Sequence, residues 1–321
     1  MAICLVVQPM HAAGYDVLTA AGVEVRHGTG AEPHVIARDA TDVDAVITRN
    51  WGFPPEAVRA AKRLKAIANH GIGMNKIDVA GATARGIPVV FTPYANARSV
   101  AEHAIALTLS LTRRSAFADQ EARRGNFDLK YDSGMVELFG KVFGLVGFGA
   151  IGRITAGIAK HGFGMRTLVF SPSASDADIA AAGAERSNSL ADLLNQSDVV
   201  SLHRPLRPDT EKMINPETLG LMKKTAYLIN TARGGLIDEP ALAHALHDGR
   251  IAGAGLDVFT VEPMAKDNPL LSAPNLVMSP HIAGATEEAA ERCAVQAAEQ
   301  ILDLLAGRRP AHLANPEVWR G

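Results

Sequence analysis

The run Leu145-Val146-Gly147-Phe148-Gly149-Ala150-Ile151-Gly152 restricts the possible folds more than any other stretch of the chain. It is a G-x-G-x-x-G turn between an apolar strand pattern at 142–146 and a helical pattern at 151–160. Each glycine has a physical task. Gly147 permits the tight turn, Gly149 lets backbone approach a pyrophosphate, and Gly152 lets the helix pack close to the strand. The helix start at Ala150 and Ile151 then offers unpaired N–H groups and the positive end of the helix dipole to the phosphates. In this strand–turn–helix setting the motif predicts a dinucleotide site rather than a turn chosen only for packing. The same fingerprint expects an acid about twenty residues on, to hold the ribose hydroxyls. Here the next strand pattern ends in Phe170-Ser171-Pro172-Ser173, with no carboxylate and no following arginine. Ser171 therefore leaves NAD and NADP both open.

The rest of the chain alternates in the way such a turn requires. Short apolar runs at 3–7, 23–26, 45–48, 66–68 and 89–91 read as strands, with helical stretches such as 54–64 and 77–84 between them. A second series has strands at 142–146, 167–170, 199–202, 226–230, 252–256 and 276–278. Helices fit 151–160, 190–195, 240–246 and about 286–305. Strands alternating with helices predict parallel βαβ units. Between the two series, Ser99 and Glu102 fit a capping box ahead of an apolar helical run at 104–111. Residues 126–140 break the period and read as an arm or linker. A length of 321 residues suits about two domains.

Composition removes whole classes. With 32 Lys+Arg against 34 Asp+Glu the chain is nearly neutral, which argues against a nucleic-acid partner. Its 2 cysteines, Cys4 and Cys293, support neither a disulfide framework nor a zinc site. No apolar run approaches the about 18 residues of a membrane span. A cytoplasmic location without membrane, nucleic acid or metal is the expectation.

In a doubly wound sheet, ligands lie beyond the carboxyl ends of the strands. Three polar groups follow successive strand patterns there: Arg233 in Asn230-Thr231-Ala232-Arg233-Gly234-Gly235, Glu262 after Leu256-Asp257-Val258-Phe259, and His281 in Met278-Ser279-Pro280-His281. Removing a hydride from an alcohol calls for a base for the hydroxyl proton, a cation for the neighbouring carboxylate, and an acid to orient the imidazolium. Arg233, Glu262 and His281 supply those types. His11, His161, His244, His247 and His312 have no comparable company and read as surface or structural residues.

These stretches together resemble the D-isomer-specific 2-hydroxyacid dehydrogenase family, and the likeness runs in family order through nearly the whole chain. It rests on His70-Gly71-Ile72-Gly73-Met74-Asn75-Lys76-Ile77-Asp78, Asn96-Ala97-Arg98-Ser99-Val100-Ala101-Glu102, Gly147 to Gly152, Asn230 to Asp238, Leu256 to Pro263 and Ser279 to Thr286. The resemblance implies an α/β protein of two doubly wound parallel-sheet domains. A Rossmann nucleotide domain at 99–286 would be inserted into a flavodoxin-like substrate domain made of 1–98 and 287–321. It implies Arg233, Glu262 and His281 as the catalytic set. Gly147, Gly149, Ala150, Ile151, Gly152, Ser171, His203, Arg204, Pro205, Thr231, Ala232 and Asp257 would line the cofactor, with Asp257 near the nicotinamide carboxamide. Arg49, Ile72, Gly73, Asn96 and Arg233 would bind the substrate, the Ile72 and Gly73 amides forming an anion nest. The implied activity is interconversion of a small D-2-hydroxyacid and its 2-oxoacid with NAD, NADP not being excluded, in a homodimer. Arg49 and the loops at 72–75 and 96–99 rank phosphoglycerate dehydrogenases ahead of hydroxypyruvate and glyoxylate reductases. A dinucleotide-sensing binding protein on the same fold is the non-enzyme alternative.

Overall fold

A computed structural model describes residues 1–131 and 134–319. Its contacts divide the chain into two units, 1–96 with 285–321, and 97–284. The boundaries expected from the sequence, 98/99 and 286/287, lie two residues further along.

The first unit alternates β1 (Ile3–Val6), α1 (Ala12–Ala20), β2 (Glu24–His27), α2 (Pro33–Asp39), β3 (Ala45–Thr48), α3 (Pro55–Ala60), β4 (Ala66–Asn69), α4 (Val79–Ala84) and β5 (Val89–Phe91). All neighbours pair in parallel, in the order β2-β1-β3-β4-β5. That is the flavodoxin-like order. Central strands β1, β3 and β4 are buried along their whole length, so they read as unbroken apolar runs rather than alternating ones. The C-terminal segment completes this unit. Asn315 accepts from the Val89 amide at 2.8 Å and donates to the Ile87 carbonyl at 2.9 Å, which ties the chain's end to β5.

The second unit opens with α5 (Ala97–Thr112) and α6 (Ser115–Arg123). Here the expected capping box fails. The helix already runs from Ala97, Ser99 is buried inside it, and Glu102 pairs with Arg98 one turn back. The helical pattern ends at Thr112 and resumes after Arg114, which adopts a left-handed φ of 48°. Of the expected arm at 126–140, Asp132 and Ser133 lie outside the described residues; Asp128–Tyr131 forms a short 3-10 turn.

There follow β6 (Val142–Val146), α7 (Ala150–Phe163), β7 (Arg166–Phe170), α8 (Asp176–Ala181), β8 (Glu185–Arg186), α9 (Leu190–Gln196), β9 (Val199–Leu202), α10 (Pro216–Leu221), β10 (Tyr227–Asn230), α11 (Glu239–His247), β11 (Gly253–Leu256) and β12 (Leu276–Met278). The strands form one parallel sheet in the order β12-β11-β10-β9-β6-β7-β8. That is the Rossmann order extended by one strand, with the switch point between β6 and β9. Apolar clusters cover both faces, one around Val146, Leu202 and Leu228 and the other around Phe143, Leu145 and Ile229. The chain then returns to the first unit through α12 (Glu287–Leu305), whose N-cap Thr286 accepts from the Ala289 amide.

Candidate active site

The glycine turn has the geometry its sequence demands. Gly147 sits at φ 105°, and a Cβ there would come within 2.5 Å of the His203 carbonyl oxygen. A Cβ on Gly152 would meet the Gly147 carbonyl oxygen at 2.6 Å, so only glycine lets α7 start so close to β6. Gly149 is different: a Cβ there would meet nothing within 4 Å. It would instead protrude into the open space in front of the α7 N-terminus, where a pyrophosphate needs room. The first amides of α7 have no intrahelical acceptor. His203, Arg204 and Pro205 follow β9 directly and back the turn. His203 hydrogen-bonds Ser201 at 3.0 Å, and burial pushes its imidazole down to about 4. Arg204 pairs with Asp209 at 3.3 Å. These residues fit a dinucleotide. Gly147 to Gly152 would hold its phosphates, and Thr231 and Ala232, at the end of β10, its nicotinamide half.

Arg233, Glu262 and His281 are brought together beyond the carboxyl ends of β10, β11 and β12. His281 Nδ1 lies 2.8 Å from one Glu262 carboxylate oxygen, and the other accepts from the Phe259 amide at 3.0 Å. An ionised carboxylate only accepts, so Nδ1 carries the proton and Nε2 is the nitrogen left for a ligand. The Arg233 guanidinium is largely buried, which lowers its pKa, and the Glu262 charge acts on it in the opposite sense. Asn230 fixes the turn that carries it, donating to the Arg233 carbonyl at 2.9 Å and accepting from the Ala232 amide at 3.0 Å. Gly234 is required there because a Cβ would collide with the Phe259 backbone at 1.9 Å. The cation and the acid are thus locked to each other through main chain.

His281 itself has a left-handed φ of 56°, unusual for a residue with a side chain. The fully buried Asp257 explains how this is held. Its carboxylate accepts from Ser279 Oγ at 2.6 Å, the Ile282 amide at 2.9 Å and the Ala283 amide at 2.8 Å, and its carbonyl accepts from the His281 amide at 2.8 Å. Asp257 therefore clamps both sides of His281. Two further residues escaped the sequence reading. His103 on α5 reaches Ser279 Oγ at 2.8 Å and the Asp257 carboxylate at 3.5 Å. Glu239 at the start of α11 accepts from the Thr260 amide at 2.6 Å and from Asn268 at 2.7 Å, which pins the loop bearing Glu262. Both contacts join segments far apart in sequence, so no local pattern signals them.

In the first unit, Asn69 donates to the carbonyls of Gly71 and Gly73, each at 3.0 Å, and shapes the turn after β4. Among the described residues no acceptor is bonded to the Ile72 or Gly73 amide. The side chain of half-buried Arg49, just past β3, likewise has no hydrogen bond or ion pair among the described residues, and its charge helps burial push neighbouring His70 down to about 4. Among the described residues, the side-chain oxygen of Asn96 and Nε2 of His70 are buried without a hydrogen-bond partner. Buried polar atoms are ordinarily hydrogen-bonded, so these two are candidates for contact with a polar ligand.

Residues 105–283 match the family model for the NAD binding domain of D-isomer specific 2-hydroxyacid dehydrogenases. A D-3-phosphoglycerate dehydrogenase of Methanocaldococcus jannaschii is 38% identical over 312 residues, 97% of this chain but 59% of that protein. A glyoxylate reductase of Thermofilum pendens is 43% identical over 290 residues, 89% of this chain and 85% of that one. Among solved structures, the TT0316 protein of Thermus thermophilus superposes with a TM-score of 0.86 at 34% identity, covering 97% of this chain and 99% of the other. The chain belongs to the D-isomer specific 2-hydroxyacid dehydrogenase family.

Proposed function

We propose that the protein is an NAD(P)-dependent oxidoreductase that interconverts a small D-2-hydroxyacid and its 2-oxoacid, with His281 as acid/base, Glu262 as its orienting acid and Arg233 as the carboxylate clamp. One observation carries the reading: Glu262 bonds His281 Nδ1 at 2.8 Å while its charge acts on the buried Arg233, all at strand ends of a dinucleotide sheet. When bound, the nicotinamide supplies the acceptor or donor of the hydride. His281 Nε2 holds the proton of the substrate hydroxyl and returns it in the reverse direction. Glu262 keeps the imidazole in the tautomer that leaves Nε2 unprotonated for this task and offsets the charge that follows protonation. Arg233 grips the carboxylate with its planar fork and polarises the carbonyl. In the first unit, the Ile72 and Gly73 amides and the Arg49 guanidinium are the groups suited to an anion.

Unpaired Arg49 favours a substrate with a second anionic group, as in a phosphoglycerate dehydrogenase. The second reading, a glyoxylate or hydroxypyruvate reductase, is supported by the Thermofilum relative, whose length this chain nearly spans. Either reading takes a cytoplasmic homodimer with it, which light scattering on the purified protein tests for assembly. The activity test is a panel of 2-oxoacids, phosphorylated and not, each with NADH and with NADPH, followed by nicotinamide absorbance. Turnover of at least one is expected. A folded protein that binds dinucleotide and reduces none of them would instead be a sensor.

A further inference from the structure

The loop after β7 has no carboxylate at Ser171, yet it is not without charge. The Gly147 amide donates to the Phe170 carbonyl at 2.8 Å, which seats the start of this loop beside the glycine turn. A dinucleotide's adenosine ribose belongs there. Residue Val169 on β7 pairs with Arg186 on β8, so the arginine is carried to the same end of the sheet. Its guanidinium donates to the Ser171 carbonyl at 3.2 Å, to the Ala174 carbonyl at 2.5 Å, and to the Asp176 carboxylate. A second cation stands nearby. Arg153, the residue after the last glycine, lies over the Phe148 ring at 5.0 Å and pairs with Asp178 at 3.1 Å. Both acids come from the first turn of α8. Two cations that could welcome a ribose phosphate are thus each offset by an α8 carboxylate.

We propose that Asp176, through its ion pair with Arg186, sets the cofactor preference toward NAD in place of the acid missing at Ser171. Resting on the dinucleotide reading above, the inference adds which cofactor is taken and which residue decides. A phosphate on the ribose 2′ oxygen carries close to two negative charges. Beside Asp176 it meets a like charge and an arginine already neutralised. A guanidinium has five N–H donors, of which this one uses three. One N–H on each terminal nitrogen remains, so Arg186 has the donors for a phosphate once Asp176 no longer claims its charge. Asp178 does the same to Arg153. The ribose hydroxyls of NAD ask for no cation and lose nothing by this arrangement.

The test is binding, not turnover. Affinities of NADH and NADPH are measured by fluorescence, and those of 5′-AMP and 2′,5′-ADP by calorimetry, for the wild type, Asp176→Asn, and Asp176→Asn with Arg186→Gln. The wild type is expected to hold NADH more tightly than NADPH. Asp176→Asn should narrow that ratio by roughly three- to fivefold at low salt, the worth of one exposed charge at close range. Raising the ionic strength should shrink the gain, and Arg186→Gln in the same chain should cancel it. With Arg186→Lys as a second variant, a loosened loop is told apart from a lost charge, since lysine keeps the cation without the fork. A wild type that prefers NADPH, or a ratio indifferent to Asp176 in a folded protein, overturns the inference alone. Failure of every nucleotide to bind the wild type overturns the dinucleotide reading and the inference together.

Discussion

Replacing Asp257 with asparagine should damage stability and catalysis while leaving dinucleotide affinity in place. One carboxylate oxygen of Asp257 accepts from Ser279 and the Ile282 amide, and the other accepts from the Ala283 amide. An asparagine keeps one acceptor and turns the other into a donor. With its oxygen toward Ser279 and Ile282, its NH2 faces the buried Ala283 amide, and one bond is lost. Hydrogen bonds to a charged group are worth about 1.5–3 kcal/mol each, so the second unit should weaken by about that amount. The larger consequence is positional. His281 is held at φ 56° by the clamp on either side of it. A left-handed conformation costs a residue with a Cβ roughly 1–2 kcal/mol, so loosening the clamp lets the backbone relax and carries the imidazole off Glu262. A displacement of about 1 Å at a reacting group can cost about 10²-fold in rate. Urea denaturation reads the stability, kcat with the best 2-oxoacid reads the positioning, and fluorescence titration reads the Kd for the preferred cofactor. An Asp257→Asn protein with unchanged midpoint and unchanged kcat would refute the argument. A raised Kd with stability and kcat intact would show instead that Asp257 touches the nicotinamide.

His281→Ala should lower kcat by about 10²–10⁴, the range for general acid–base catalysis, with cofactor Kd nearly constant; undiminished turnover in a folded variant removes His281 from the chemistry. Arg233→Lys keeps the charge but not the planar fork, and should raise KM and lower kcat together; near-normal values of both would mean that the carboxylate is held elsewhere. Arg49→Ala should weaken a phosphorylated hydroxyacid more than glyoxylate, by about 1.5–3 kcal/mol in kcat/KM; equal losses would return Arg49 to a general carboxylate role. Burial holds His70 and His203 at about 4 in the fold against 6.5 ordinarily, so the unfolded chain binds protons first as pH falls. Their contribution to stability is therefore complete above pH 6.5 and is lost between 6.5 and 4, on the order of 3 kcal/mol for each. A denaturation midpoint that stays flat across that window would contradict the assignment, and His203→Asn should flatten part of the slope.

The sheets were legible because parallel strands covered on both faces are written as short unbroken apolar runs, and β1, β3, β4, β6 and β9 are buried at every residue. Helices were less so. The first, α1, has a low apolar contrast around its axis and opens on His11, whose ring accepts from the Ala13 amide in place of an ordinary capping side chain. Strand β8 is two residues long, too short for any period to show. The serine and glutamate at 99 and 102 imitate a cap that the packing of α5 overrides. Arg233, Glu262 and His281 were legible for a topological reason: in a parallel sheet every carboxyl end points the same way, so polar residues just past successive strands must converge.

Residues that support the site rather than line it obey no such rule. His103 meets Ser279 across 176 positions, and Glu239 meets Thr260 across 21, because helices and loops are placed by the whole fold. Ser171 shows what this means for reading charge. Judged at one position, the loop after β7 lacks its acid, and the cofactor is left undecided. Yet β7–β8 pairing delivers Arg186 to that loop, and α8 delivers Asp176 to Arg186. A ribose phosphate responds to the summed field of all the charges within about a Debye length, roughly 8–10 Å at ordinary salt, rather than to one residue. On the proposal above, the discriminating charge is spread over three segments, which the β7–β8 pairing and the bonds of Arg186 bring to one loop.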